Sequence, residues 1–254
     1  MKLLTRISLL VLCLGGISSA ASVPTTLEEA RADTINDLVI GFIEQFKQIM
    51  PCGIPDLGVP VLVPFELEHT EFGFEQSGLL QVETELNDIF VDDLNNFDIV
   101  KIDVKLLQLQ VDFGFFFHSI KSTGQYKAKG TVLGLIPFNR GGKFAFNVNG
   151  LSLEGSIKIG IEGENVFIKE FKLRPIVNSV DSKFENVFIL PLNTFIFNKV
   201  VEAVIPNFLR DNQEQVTQFL EDALVPQVNG LLGEFTLDDL MGMVTGNSSL
   251  PTEC

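Results

Sequence analysis

The chain has two histidines, His69 and His118, so any imidazole-based chemistry must use one of them. A Ser–His–acid triad also needs an exposed nucleophile. The nearest approach, Gly150-Leu151-Ser152-Leu153-Glu154-Gly155, is one residue too long for the G-x-S-x-G elbow and lies in an alternating, strand-like run. His118 closes a phenylalanine-rich run and reads as a strand-end residue. A zinc site built from both histidines and a carboxylate lacks ligand spacing. Asp93-Leu94-Asn95 starts like a calcium loop, but Phe97 and Asp98 stand where an oxygen ligand and a glycine are required. Gly141-Gly142-Lys143 lacks the following Ser or Thr of a phosphate loop. The acid pairs Glu28-Glu29, Asp92-Asp93 and Asp238-Asp239 diverge and read as solvated faces. The expectation is a protein that is not an enzyme, with no catalytic residue, metal or cofactor.

The covalent chemistry lies at the ends. Lys2 and Arg6, the apolar run Ile7–Leu14 and the small residues Ser18-Ser19-Ala20-Ala21 make a secretory signal peptide over residues 1–20. Its removal takes the net charge from −15 to −17 and leaves Cys52 and Cys254 of three cysteines. In an oxidising compartment these two form one disulfide, or Cys52 is a buried thiol and Cys254 a free one. A bridge would close a very long loop, contributing about 5 kcal/mol in the chain-entropy description. Asn247-Ser248-Ser249 is the single glycosylation sequon, in a polar tail over residues 244–254. That tail lacks the apolar stretch of a glycolipid anchor.

Charge and length set further limits. With 18 basic against 33 acidic side chains and no Lys/Arg cluster, a phosphate-tracking nucleic-acid binder is excluded. Beyond the leader no charge-free run exceeds 13 residues, the length of Asn186 to Asn198. A spanning helix needs roughly 20, so stable membrane insertion is not expected. Mean hydropathy is nonetheless +0.29, so the chain holds much apolar surface to bury.

That surface is mostly phenylalanine: 23 Phe, one Tyr and no Trp. Phe supplies large apolar area with no polar group needing a partner, whereas protein-binding surfaces favour Tyr, Trp and Arg. The phenylalanines form either a bulky core or the lining of an apolar pocket for a lipid-like guest.

Their positions follow from the elements. Leu27, Ala30, Ile35, Leu38, Phe42, Phe46 and Ile49 mark an amphipathic helix over Thr26 to Ile49, with capping-box spacing at Thr26 and Glu29 and a stop at Pro51. A proline-punctuated extended segment follows. From about Gly78 to Phe188 the period is two, which predicts an antiparallel meander. Parity changes between Leu106 and Leu107, so a bulge or bend is expected there. Further strands are expected over Tyr126 to Ile136, Phe144 to Val148, Leu151 to Ile161 and Val166 to Leu173. Turns are expected at Asn139-Arg140-Gly141-Gly142 and Glu162-Gly163-Glu164-Asn165. A helical stripe runs from Phe197 to Leu231, to be kinked or divided at Pro206 and Pro226 or interrupted at Asn212. Thr236 to Met243 reads as a short capped helix. The layout is α+β: an N-terminal helix, a long antiparallel sheet and a long C-terminal helix, one domain over residues 21–243.

The order of motifs resembles the tubular lipid-binding (TULIP) superfamily of secreted arthropod proteins. Gly53-Ile54-Pro55-Asp56-Leu57-Gly58-Val59-Pro60 with Pro64, Gly124-Gln125-Tyr126-Lys127-Ala128-Lys129-Gly130, and Gly141-Gly142-Lys143-Phe144-Ala145-Phe146 resemble the takeout and juvenile-hormone-binding proteins. The first helix and the run Phe195 to Leu232 resemble the mite group 7 allergens. The resemblance implies a strongly curved sheet wrapped around a long C-terminal helix, an elongated apolar cavity between them, and carriage of terpenoids, fatty acids or similar lipids. Takeout-like proteins carry a cysteine pair near the mature N-terminus; no cysteine lies between Ala21 and Pro51 here, which turns the expectation toward the mite branch.

On strand and helix parity, Leu38, Phe42, Phe113, Phe115, Phe117, Phe144, Phe146, Val204 and Phe208 are expected to line the cavity. The partner is then a hydrophobic small molecule or lipid, carried by a secreted, extracellular protein. Two other readings stay open: recognition of microbial lipid, and a structural secreted protein with a filled core.

Overall fold

The computed structural model describes residues 27–55, 59–76, 78–233 and 235–245. The expected signal peptide, the expected cap at Thr26, the sequon at Asn247 and Cys254 lie outside the described residues. Helix α1 (Leu27–Ile49) leads into the strands β1 (Phe65–Gln76), β2 (Leu80–Asp92), β3 (Phe97–Lys105), β4 (Gln110–Val132), β5 (Ile136–Glu162) and β6 (Asn165–Phe184). Helices α2 (Pro191–Asp211), α3 (Gln213–Leu232) and α4 (Leu237–Val244) follow.

All strands join one curved antiparallel sheet in the order β1-β2-β4-β5-β6. The remaining strand, β3, shares the β4 edge with β2: residues 110–117 of β4 pair with β3 and residues 121–132 with β2. The strands are long, 27 residues in β5 alone. Register shifts between Asn87 and Phe90, Ile99 and Lys101, and Lys158 and Ile159 mark bulges. Each bulge sharpens local twist, so a sheet with several of them curls.

The expected irregularity at Leu106–Leu107 is a full reversal. A 3-10 turn over Leu106–Gln108, closed by Leu109 at φ 48°, joins β3 to β4 as a hairpin. Parity changes there because the chain turns back, not because one strand is bulged. The turn expected at Asn139–Gly142 lies inside β5, and the run Tyr126 to Ile136 is cut by the turn at Leu133-Gly134-Leu135. The glycines serve close approach instead: a Cβ on Gly141 would fall 2.7 Å from the Tyr126 carbonyl oxygen, and one on Gly142 2.5 Å from that of Glu185.

A second parity change crosses the sheet. Phe113, Phe115 and Phe117 face inward in the first half of β4, but Ile120, Tyr126 and Ala128 do so in the second. The same shift falls between Val148 and Leu151 in β5 and between Val177 and Val180 in β6, at one level of the register. Gly150, at φ +62°, sits at that level in the middle strand. The irregularity keeps apolar side chains turned toward the helices on both sides of it.

The C-terminal stripe breaks at Asn212, while Pro206 and Pro226 remain inside α2 and α3. The last helix, α4, opens on a capping box: Thr236 Oγ1 accepts from the Asp239 N–H, and the Asp239 carboxylate accepts from the Thr236 N–H.

Candidate ligand-binding site

Helices α2 and α3 run along β6, and α1 lies along β3. Between these flanks the inward faces of β4 and β5 form an apolar seam. At one end Phe97, Phe113, Phe115, Phe117, Phe171 and Ile168 pack with Val228 and Leu232 of α3. At the other, Tyr126, Phe138 and Phe144 pack with Val187 and with Phe197 and Val201 of α2. A third cluster joins Phe46, Ile49 and Met50 of α1 to Leu62 and Phe65. At the level where parity changes, Ile120, Val148, Leu151, Leu153 and Val177 are half-buried, and Ile120, Leu151 and Leu153 pack against the first cluster.

The nine expected lining residues do not gather at one place. Phe113, Phe115 and Phe117 are 1–5 % exposed in the first cluster, and the Phe115 ring lies 5.4 Å from Phe113 and 5.5 Å from Phe97. Phe144 is buried and Phe146 half-buried in the second. Phe42 packs half-buried against the third cluster, and Leu38 is half-buried on α1. Val204 is buried, and Phe208 meets Phe74 edge to face at 4.9 Å. Parity found the inward faces but missed Phe97, Phe138, Phe171 and Phe184, which begin strands or lie beyond bulges and hairpins.

Polar groups are kept to the margins. Thr84 is the one buried polar side chain among the described residues, and its hydroxyl donates to the Lys127 carbonyl at 3.1 Å. The Tyr126 hydroxyl donates to the Glu185 carbonyl at 2.5 Å. Burial, then the nearby Glu185 carboxylate, pushes its pKa up to about 12. No buried side-chain N or O among the described residues lacks a partner.

The helices reach β6 through its open edge. Asn198 of α2 accepts from the Phe184 N–H at 2.8 Å and donates to the Phe184 carbonyl at 3.2 Å. Asn229 of α3 does the same to Ile168, at 2.6 and 3.3 Å. Thr217 donates to the Leu173 carbonyl at 2.5 Å. These amides take the place of a neighbouring strand, covering an edge that would otherwise be free to pair. The sequence offered no signal for them beyond asparagines bordering an apolar stripe.

The outward face is charged. Lys129–Glu83 and Lys127–Glu85 pair across β2 and β4 at 2.7 and 3.6 Å. Asp112 is held by Lys105 at 2.5 Å and by the Gln110 amide at 2.6 Å. Burial works against its ionised form, but these hydrogen bonds and the charges of Lys105 and Lys101 outweigh it and hold the carboxyl below its usual range. His118 is exposed within β4, not at a strand end, and meets Asp98 at 3.0 Å. His69 is exposed beside Asn87 and Glu71. A cleft of about 1120 Å³ lies on this charged face, lined by Lys101, Asp112, Glu154, Glu170, Lys172 and Arg174 of the sheet and by Glu214 and Glu221 of α3; Phe113, Phe115, Phe171 and Leu173 border it but are only 1–4 % exposed. Cys52 is disulfide-bonded.

A family model described as haemolymph juvenile hormone binding protein (JHBP) matches residues 7–242. The chain belongs to this family. The missing N-terminal cysteine pair therefore does not set it apart from the juvenile-hormone-binding branch, contrary to the lean toward the mite allergens. The crystal structure of Takeout 1 from Epiphyas postvittana matches 78% of this chain and 93% of its own, with TM-score 0.58 and 16% identity. That likeness shows a takeout-like TULIP fold. Lipopolysaccharide binding protein (TM-score 0.34, 14% identity, 77% of this chain and 37% of that one) and latherin (0.27, 13%, 81% and 78%) are more distant. No curated protein matches the chain. Families of this kind are binding and carrier proteins, and no described helix of this JHBP-family chain is long and apolar enough to cross a membrane.

Proposed function

We propose that this protein is a secreted, non-enzymatic carrier of a hydrophobic small molecule, a terpenoid, fatty acid or similar lipid, held in the seam between the inward sheet face and the helices. The observation that carries the reading is the chemistry of the seam. It is lined by Phe, Leu, Ile and Val, and its rare polar groups are already bonded to backbone. Such a surface can hold a guest only by removing apolar area from water, at about 25 cal/mol per Å² before ordering costs. Half-buried Leu151, Leu153, Ile120 and Val177 are the natural contacts at its middle, with the nine parity-selected residues along its length.

The mature carrier runs from about residue 21 to 243, behind a signal peptide over residues 1–20 and before a glycosylated tail. Membership in a family named for haemolymph supports secretion, and so does the disulfide at Cys52, since such bonds persist in oxidising compartments. We assign its partner as Cys254.

Denaturing extraction and mass spectrometry of the secreted protein should release a lipid. Saturated fatty acids should displace a fluorescent analogue with affinity rising about fourfold per methylene, as ~0.8 kcal/mol per buried methylene requires, until the seam is full. Protein that yields no lipid and takes up no analogue has a filled core and is not a carrier.

A further inference from the structure

One end of the molecule is apolar, its turns free of charged side chains, with the Lys199 ammonium 5.9 Å over the Phe195 ring at its margin. Three turns or loops meet there. Leu79 stands 42% exposed beside the β1–β2 turn, and Leu133 and Leu135 stand 42% and 85% exposed on the β4–β5 turn. The Leu133 N–H donates to the Leu79 carbonyl at 2.6 Å, tying the two turns together. The third segment enters α2: Ile189, Leu190 and Leu192 are 62–81% exposed, and Phe195 58%. Phe188 anchors it against Phe138 of β5, with rings 5.7 Å apart, and Thr194 brackets it by hydrogen bonds to the Phe188 backbone.

Residues 76–82, 130–139 and 186–198 contain no charged side chain, in a chain of net charge −15. The opposite end also exposes Leu106, Leu107 and Ile161, but beside Lys105, Glu162 and Glu164. Folding does not explain the neutral end. Leu133 holds φ 53°, a conformation that Gly or Asn adopts at far lower cost, and displays its side chain to water. Apolar residues placed against both turn chemistry and solubility mark an interaction surface.

We propose that this end docks reversibly on the uncharged headgroup region of a phospholipid surface. Separate turns tipped with Leu and Ile suit a fluid interface, which needs no shape complementarity. A stable protein interface needs roughly 800 Å² of well-packed surface on each partner, rich in aromatic and Arg anchors, and Phe195 is the single exposed aromatic here. Two acidic chains also repel each other, whereas a zwitterionic surface presents no net charge to this one. The docking surface adjoins the Phe138–Phe197 end of the seam but stands independently of what the seam carries.

The test is flotation of the full secreted chain with phosphatidylcholine vesicles. Wild type should float with the vesicles and continue to do so in about 1 M salt, where charge is screened beyond ~3 Å. Leu135→Asp and the double variant Ile189→Asp/Leu192→Asp replace exposed side chains, and should float about 10- to 100-fold less while keeping the wild-type melting temperature. The proposal is overturned by a wild type that ignores the vesicles, by variants that float equally well, or by variants that abolish a dimer while no chain floats. Uptake of a fluorescent fatty acid in solution, measured in parallel, separates the two readings. Tip-dependent flotation without uptake leaves docking standing and removes the carrier; uptake without flotation does the reverse.

Discussion

Replacing Asn198 by alanine should loosen α2 from β6 and lower the melting temperature by about 4–12 °C. The wild-type amide bonds both backbone groups of Phe184 and also donates to the Thr194 carbonyl at 3.1 Å. Alanine leaves one N–H and one C=O of Phe184 unpaired under a helix. Each orphaned backbone group costs ~1–3 kcal/mol when buried. Both Asn198 and Phe184 are half-buried, so water recovers part of that, and the pair together costs about 2–3 kcal/mol. In a domain of this size each kcal/mol moves the midpoint by roughly 2–4 °C. Asn198→Asp keeps an acceptor for the Phe184 N–H but cannot donate to its carbonyl, so it should fall between wild type and alanine. Asn229→Ala should match Asn198→Ala, because Asn229 bonds the same two groups of Ile168. Scanning calorimetry reads all three. Alanine variants that both melt within about 1 °C of wild type would show that packing alone holds the helices, and would refute the edge-bond argument.

Tyr126 offers a clean pH test, because the chain has no other tyrosine and no tryptophan. Its raised pKa means that the folded state favours the neutral phenol; that contribution is complete below pH ~10 and is lost as pH rises toward 12. Tyrosinate absorbance should therefore titrate near pH 12 while circular dichroism still reports the fold, and a midpoint near 10 in folded protein contradicts the burial argument. Peptide mapping without reduction should link the fragment carrying Cys52 to the one carrying Cys254; a Cys52 linked elsewhere overturns that pairing.

The first helix was legible because its signals act locally, an apolar stripe at helical spacing and the proline that follows it. The antiparallel sheet was legible because alternation is a local property too. What could not be read is where alternation breaks. Leu106, Leu107 and Leu109 look like continuing strand, yet they form a hairpin turn. Leu133 and Leu135 look like strand for the same reason. Conversely, Asn139-Arg140-Gly141-Gly142 has turn composition, but its glycines are needed where β5 passes close to the Tyr126 and Glu185 backbone. Gly150 carries the parity change across β5, a role that shows only once its neighbours are known. The candidate site suffered from the same limit: parity separates inward from outward faces but does not say which inward residues meet. Phe113 and Phe144 share a face type and belong to different clusters.

The placement of polar contacts explains how an interior this apolar can be tied to its helices. Buried polar anchors within the seam would each need a partner, and any guest would have to satisfy or displace them. Here the directional bonds are moved to the rim: Asn198, Asn229 and Thr217 fasten α2 and α3 to β6, and Lys47 of α1 donates to the Phe97 carbonyl at 2.8 Å where β3 begins. Between these rims the helices contribute Val, Leu, Ile and Phe side chains to the clusters. Contacts of that kind are non-directional and scale with area, so side chains can shift in small steps without leaving a hydrogen bond unmade.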